Sequence, residues 1–106
     1  MPLFIKTESF TQETMEMFQP ERAKYIIKHK LWIKSLVEND INIFSGFLKN
    51  EKGKPGDGGF LVLEAENFQE AKLLIMEDPM IKNNLVNWQL NEWVPVLGNF
   101  LLSIDF

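Results

Sequence analysis

The hydrophobic period changes twice in the first part of the chain. Residues 2–7 (PLFIKT) form a short apolar run rich in β-formers, which predicts a first strand. The polar stretch 9–22 is interpreted as a connection, and Pro20 within it stands at a helix start, where its missing N–H costs nothing. From Glu21 to Asn39 the period becomes helical. Six apolar residues share one face of that helix: Tyr25, Ile26, Trp32, Ile33, Leu36 and Val37.

The middle of the chain predicts two strands joined by a loop. Residues 41–48 (INIFSGFL) and 60–65 (FLVLEA) are apolar runs of strand length. Between them, residues 49–59 (KNEKGKPGDGG) combine four glycines, one proline and alternating charges, which is typical of a mobile hairpin loop. No G-K-[ST] motif follows these glycines, so a phosphate-binding loop is not indicated.

A second helix and a fourth strand complete the pattern. Asn67, with Glu70 three residues later, forms a capping box that predicts a helix start, and Pro79 is expected to end that helix. Its inward face is predicted to hold Phe68, Ala71, Leu74 and Ile75. Residues 86–93 (VNWQLNEW) alternate strictly, which predicts a strand with Val86, Trp88 and Leu90 on one side. The order β-α-β-β-α-β predicts a ferredoxin-like α+β fold, an antiparallel sheet with both helices on one face.

The third strand has large apolar residues on both faces, Phe60 and Val62 on one and Leu61 and Leu63 on the other. Two helices can cover only one face, and soluble monomers rarely expose a large apolar patch. We therefore predict a homodimer, of the dimeric α/β-barrel type, through the uncovered sheet face. The apolar tail 94–106 is expected to dock there or to be exchanged between subunits.

Length and charge restrict the class of protein. A chain of 106 residues with 45% hydrophobic residues predicts a single domain over 1–106. The net charge of −4 and the scattered basic residues argue against a nucleic-acid partner. No run approaches the roughly 18 apolar residues that a membrane span needs, and the N-terminus has no charged leader or cleavage site. The absence of cysteine favours the cytoplasm.

The chemistry-bearing residues are few. One histidine, no cysteine and no paired carboxylate spacing leave no metal site, and no G-x-S-x-G nucleophile motif is present. His29 lies in the middle of the apolar face of the first helix. It is either a structural core histidine, which needs partners for its ring nitrogens, or a functional one.

Asp78 is the predicted partner of His29. It is placed at the C-terminal end of the second helix, where a carboxylate faces the negative end of the helix dipole at a cost of about 0.3–1 kcal/mol. This position has two interpretations: a common Asp-Pro turn start, or a functional carboxylate. Because both helices pack on the same sheet face, the two side chains can approach each other, and Asp78 would then orient His29 as a general base or acid.

The chain resembles the YciI-like (YCII-related) family. The resemblance rests on the helix histidine in KHKLW, the strand-to-glycine step ending at Gly46, the Asp78–Pro79 pair and the motif LNEWVPV. It implies a ferredoxin-like fold that dimerises sheet to sheet, and a site centred on His29 and Asp78. The chain departs from the family pattern at Phe47 and Met80 and around Ile27 and Lys28, which are residues expected near the pocket, so the family's substrates do not transfer.

Two functions from different classes follow. The first is a small cofactor-free enzyme in which His29 and Asp78 act on a hydroxylated or halogenated aromatic or enol-type molecule, by lyase-like, isomerase-like or dehalogenating proton transfer. Its predicted substrate-binding residues are Tyr25, Trp32, Ser45, Gly46 and Trp93. The alternative is a non-catalytic dimeric module that binds a small molecule in the same pocket, and a purely structural His–Asp contact is a third possibility.

Overall fold

In the computed structural model, which describes residues 1–98, four strands and four helices follow each other in the order β-α-α-β-β-α-α-β. The strands are β1 (Leu3–Phe10), β2 (Ile43–Lys49), β3 (Pro55–Glu64) and β4 (Val86–Trp93). The helices are α1 (Gln12–Glu16), α2 (Gln19–Glu38), α3 (Phe68–Ile75) and α4 (Pro79–Lys82).

The four strands form one antiparallel sheet in the order β2-β3-β1-β4. β1 is central and pairs with both β3 and β4, so that Lys6 lies opposite Leu61 on one side and Leu90 on the other. β2 and β4 are the two edges. This order and pairing are compatible with the ferredoxin-like α+β fold that the sequence predicts.

The core lies between the helices and one face of the sheet. Alternation along each strand directs every second side chain to this face. The buried strand residues on it are Phe4, Lys6, Ile43, Leu61, Leu63, Val86 and Leu90. Ala71 and Ile75 of α3 and Leu36 of α2 are buried with them. Two residues expected inside are exposed instead: Val37 on α2 and Phe68 at the start of α3.

The polar connection after β1 contains a helix that the sequence pattern did not predict. Thr11 caps α1 by accepting a hydrogen bond from the Thr14 N–H. Thr14 is buried and donates its hydroxyl proton to the Leu85 carbonyl at 2.7 Å. This bond ties α1 to the residue just before β4.

The start of α2 and the bounds of β4 agree with the sequence prediction, whereas the hairpin does not. Pro20 occupies the first turn of α2. The loop predicted over 49–59 is shorter, because β3 begins at Pro55 and takes in the three glycines that follow it. β2 and β3 therefore extend further toward the hairpin tip than the apolar residues alone indicate.

The second sheet face is more apolar than a solvated face. Ile5 and Val62 are half-buried on it, and Phe44 and Phe60 are exposed. Beyond β4, Val96 and Leu97 are also exposed. Residues 99–106 of the tail predicted to dock lie outside the described residues, and the dimer predicted for this face stays a prediction. Within residues 1–98, no helix is both long and apolar enough to cross a membrane.

Candidate active site

Asp78 occupies the N-cap of α4. Its backbone is extended, and its Oδ1 accepts a hydrogen bond from the Met80 N–H at 2.9 Å. The expectation that Asp78 ends the preceding helix is wrong, because α3 stops at Ile75 and Pro79 begins a new helix. The carboxylate therefore caps the N-terminus of α4, and it does not lie at the C-terminal end of a helix, where its charge would be unfavourable. Its side chain is fully buried.

His29 reaches Asp78 from α2. The distance from His29 Nδ1 to Asp78 Oδ1 is 2.9 Å, and that from Nε2 to Ser45 Oγ is 3.3 Å. Since an ionised carboxylate only accepts hydrogen bonds, the proton of the neutral imidazole lies on Nδ1. Nε2 then carries the lone pair, and it points toward the β2 side, where the site opens. The imidazole is 17% exposed.

Lys6 is one of the site residues that the sequence pattern did not predict. It lies on β1, fully buried, with Nζ 2.9 Å from Asp78 Oδ2 and 2.6 Å from Glu8 Oε1. One signal was available: strand alternation puts Lys6 on the same side as Phe4. A lysine at an inward position of a central strand indicates a buried partner of opposite charge.

These contacts fix the protonation state of Asp78. Burial by itself would raise the pKa of this carboxyl group. The hydrogen bond from His29 and the positive charge of Lys6 together outweigh burial, and the pKa of Asp78 lies below its ordinary value of 3.8. Asp78 is therefore ionised at neutral pH and is suited to orient the imidazole.

A cavity of about 590 Å³ opens beside the imidazole, between α2 and the end of the sheet that carries the β2–β3 hairpin. Its polar lining groups include His29, Ser45 and Glu8, set among mainly apolar neighbours. The apolar lining residues are Phe10, Ile26, Ile33, Phe47, Pro55 and Met80. A largely apolar cavity with a few convergent polar groups is the usual form of a small-molecule site.

The glycines of the hairpin belong to this cavity. Gly56, Gly58 and Gly59 line it, although the sequence pattern suggested only a mobile loop. Gly58 has φ +98°, and a Cβ there would overlap the carbonyl oxygen of Glu8 on the neighbouring strand. Glycine is thus required at Gly58 by both conformation and space.

The structure separates the predicted substrate-binding residues into two groups. Ser45 and Gly46 line the cavity, whereas Tyr25, Trp32 and Trp93 are not among its lining residues. The Trp32 ring contacts the imidazole, with 5.7 Å between the ring centroids, and supports His29 from the side. Tyr25 is half-buried on α2, and Trp93 ends β4 opposite Leu3.

The arrangement is suited to proton transfer. An imidazole with a buried, ionised partner at Nδ1 can accept or donate a proton at Nε2, and Ser45 marks the place where a ligand hydroxyl can bind. Within residues 1–98, no group of three or more His, Asp or Glu side chains is arranged to hold a metal ion.

No family model and no curated protein sequence matches the chain. Among solved structures, the fold is similar to that of 5-chloro-2-hydroxyhydroquinone dehydrochlorinase from Burkholderia phenoliruptrix, in its complex with 2,5-dihydroxybenzoquinone. The two chains are 20% identical with a TM-score of 0.66, and the similarity covers 87% of this chain and 93% of the other. At this identity the similarity shows a shared fold.

Proposed function

We propose that the protein is a small cofactor-free enzyme of the YciI-like family, with His29 as the general base or acid and Asp78 as the residue that orients it. The observation that carries the proposal is the 2.9 Å contact between His29 Nδ1 and Asp78 Oδ1 beside an open cavity. A sealed pair would favour a structural role, whereas this imidazole is partly exposed and its Nε2 lies on the side of a cavity-lining serine.

The proposed substrate is a hydroxylated or halogenated aromatic ring, or a related enol. The cavity is mainly apolar and large enough for one ring, and the solved enzyme of similar fold is named for a chlorinated hydroxyhydroquinone. The hydroxyl proton of such a ring is acidic enough for an imidazole to remove. Asp78 stabilises the imidazolium that forms, because its carboxylate stays ionised in the buried site.

Dehydrochlorination of a chlorohydroquinone fits this chemistry without an external oxidant. His29 takes the proton of a ring hydroxyl, and a proton is returned to the ring carbon that carries chlorine. Chloride then leaves with its bonding electrons while the para hydroxyl loses its proton. The products are a quinone and HCl, so the ring is oxidised at the expense of the carbon–chlorine bond.

Turnover of 5-chloro-2-hydroxyhydroquinone, measured as chloride release under anaerobic conditions, tests this function. We expect His29→Gln and Asp78→Asn to lose activity by about 100-fold or more, the usual scale for an acid–base group, while circular dichroism shows folded protein. Ser35→Ala, on the exposed side of α2, is the matched control and should keep wild-type turnover. Full activity in both site variants would contradict the proposal.

A non-catalytic binding module using the same pocket is the alternative, because the cavity and its polar groups would serve binding equally well. Prolonged incubation separates the two functions, since a binding module returns the ring unchanged. If the His–Asp contact is only structural, His29→Leu will stabilise the fold or leave it unaffected, and ligand binding will stay intact. We further propose that the enzyme acts in the cytoplasm as a homodimer, as the cysteine-free sequence and the apolar second sheet face suggest.

A further inference from the structure

Glu8 is a second polar residue in the wall of the cavity, and the proposed acid–base chemistry does not use it. It follows Lys6 by two positions on β1, so both side chains point to the helix-covered face of the sheet. Its side chain is 13% exposed, lines the cavity, and is anchored at Oε1 by the buried Lys6 ammonium at 2.6 Å. The carboxylate is therefore held in place at the cavity wall.

The neighbouring strand is shaped around Glu8. Gly59 lies directly opposite Glu8 in the β1–β3 register, and a Cβ at Gly59 would come within 3.0 Å of Glu8 Cγ and 3.3 Å of Cδ. The adjacent Gly58 has no Cβ, so the β1 backbone at Glu8 can lie close to the backbone of β3. Two consecutive glycines thus make room for Glu8, Gly59 for its side chain and Gly58 for its backbone, which is unusual in a strand interior, where glycine weakens pairing.

The sheet register also sets the spacing between the two polar walls. Ser45, which contacts His29 Nε2, shares a cross-strand row with Leu61 and Lys6. Glu8 lies one row further along the same face, about 7 Å along β1, and two strand spacings, about 10 Å, across the sheet from Ser45, so the two backbone positions are about 12 Å apart. A single ring with polar substituents at para positions, and a hydrogen bond of about 2.8 Å at each of them, is of this scale.

The charges of the side chains around Glu8 decide which ligand substituent can lie against it. One buried ammonium, Lys6, faces two carboxylates, Asp78 and Glu8, so with a neutral imidazole this group of side chains keeps one net negative charge. The other cation at the cavity, Lys30, is an exposed residue of α2 and can meet only the outer part of a ligand. A ligand carboxylate placed against Glu8 would be repelled, whereas a hydroxyl would donate to it.

We propose that Glu8 is a specificity-determining residue, which accepts a hydrogen bond from the second hydroxyl of a para-dihydroxylated ring and rejects rings with a carboxylate at that position. This inference rests on the proposed function, because it takes the first hydroxyl to lie at His29. Lys6 is then a shared anchor, which fixes Asp78 at one end of the ligand and Glu8 at the other.

Two ligands of matched shape test this proposal: hydroquinone and 4-hydroxybenzoate, which differ in one para substituent. Their Kd values are measured by NMR titration of the ring protons at neutral pH. Wild type is expected to bind hydroquinone at least about tenfold more tightly. Glu8→Gln keeps the shape of the side chain without its charge and should bring the ratio of the two Kd values close to one.

Glu8→Asp keeps the charge and should keep most of the preference, which separates charge from packing if Glu8→Gln is less stable. Glu92→Gln, on exposed β4 outside the cavity, is the control and should match wild type. If wild type binds hydroquinone and Glu8→Gln retains the full preference, the role of Glu8 is refuted and the proposed function stands. If wild type binds neither ligand, or prefers 4-hydroxybenzoate, both the role of Glu8 and the proposed substrate class are refuted.

Discussion

Lys6 Nζ and Asp78 Oδ2 lie 2.9 Å apart inside the protein, joining two fully buried charges that are 72 positions apart in the sequence. An ion pair of this kind is rarely worth more to stability than an apolar pair of the same volume, because both charges lose their hydration. Its value here is that it holds an ionised carboxylate against His29. The pair is a feature of the site as much as of the core.

Removal of the ammonium should be costly. We expect Lys6→Met to lower the free energy of unfolding by about 3–5 kcal/mol, because Asp78 is left as a buried charge without its main cation. Urea denaturation measures the loss, and Lys34→Met on exposed α2 is the control. Adding Asp78→Asn to Lys6→Met should recover part of the stability. A double variant that loses more unfolding free energy than the two single variants together would contradict this account.

The single histidine makes the imidazole tautomer directly measurable. We expect the neutral ring to carry its proton on Nδ1, because Asp78 Oδ1 lies 2.9 Å from that nitrogen. In protein labelled with ¹⁵N-histidine, the two ring nitrogens give one pair of signals, whose shifts identify the protonated atom. A dominant Nε2–H form would show that the Asp78 contact does not orient the ring.

Stability should depend on pH through Asp78. Its pKa is lowered in the folded state, so its contribution is present above 3.8 and is lost as the pH falls through the folded-state pKa. The difference in unfolding free energy between wild type and Asp78→Asn should therefore shrink as the pH falls below about 3.8. Urea titrations over that range measure it, and a difference that grows on acidification would reverse the sign and refute the assignment.

Gly58 and Gly46 provide a matched pair of glycine substitutions. Gly58→Ala puts a Cβ on a residue with φ +98° and against the Glu8 carbonyl. It should lower the free energy of unfolding by about 2 kcal/mol or more. Gly46→Ala meets no atom within 4 Å and should change stability by less than about 1 kcal/mol. Thermal denaturation compares them, and equal losses would mean that the close approach of β1 and β3 is not what requires Gly58.

The second sheet face should control the oligomeric state. We expect sedimentation velocity at micromolar concentration to show a dimer, and Phe60→Asp to dissociate it, because that substitution puts a charge on the apolar face. Phe18→Asp, at an exposed phenylalanine just before α2, is the control and should remain dimeric. A wild-type monomer would remove the dimer from the proposal.

The parts of the fold that were predictable are those with a strong local pattern. The strict alternation over 86–93 gave β4 its observed bounds, and the capping box at Asn67 marked the start of α3. The pairing of His29 with Asp78 follows from the fold class, because elements on one sheet face can bring their inward side chains together. The local pattern places His29 on the inward face of α2, but it puts Asp78 at the end of a helix and not at the N-cap of α4.

The parts that were missed depend on contacts between distant segments. Strand alternation places Lys6 on the inward face, but its role depends on Asp78 at the N-cap of α4, which lies 72 positions away, and on Glu8 of its own strand. Asp-Pro can end one helix or begin the next, and the short turn after Ile75 decides between them. The glycines of β3 are typical of a loop in the sequence, because the requirement for Gly58 and Gly59 comes from Glu8, which lies on another strand.

The outer wall of the cavity belongs to an edge hairpin. Phe47, Pro55 and Gly56 come from the end of β2 and the start of β3, whereas His29 and Asp78 stand on elements packed into the core. The hairpin can thus change the shape of the outer wall without touching the contacts that join Lys6 to Asp78 and Glu8. Exchange of hairpin residues is expected to change which ligands fit the cavity while these contacts stay in place, which makes the hairpin the natural segment to vary in directed evolution.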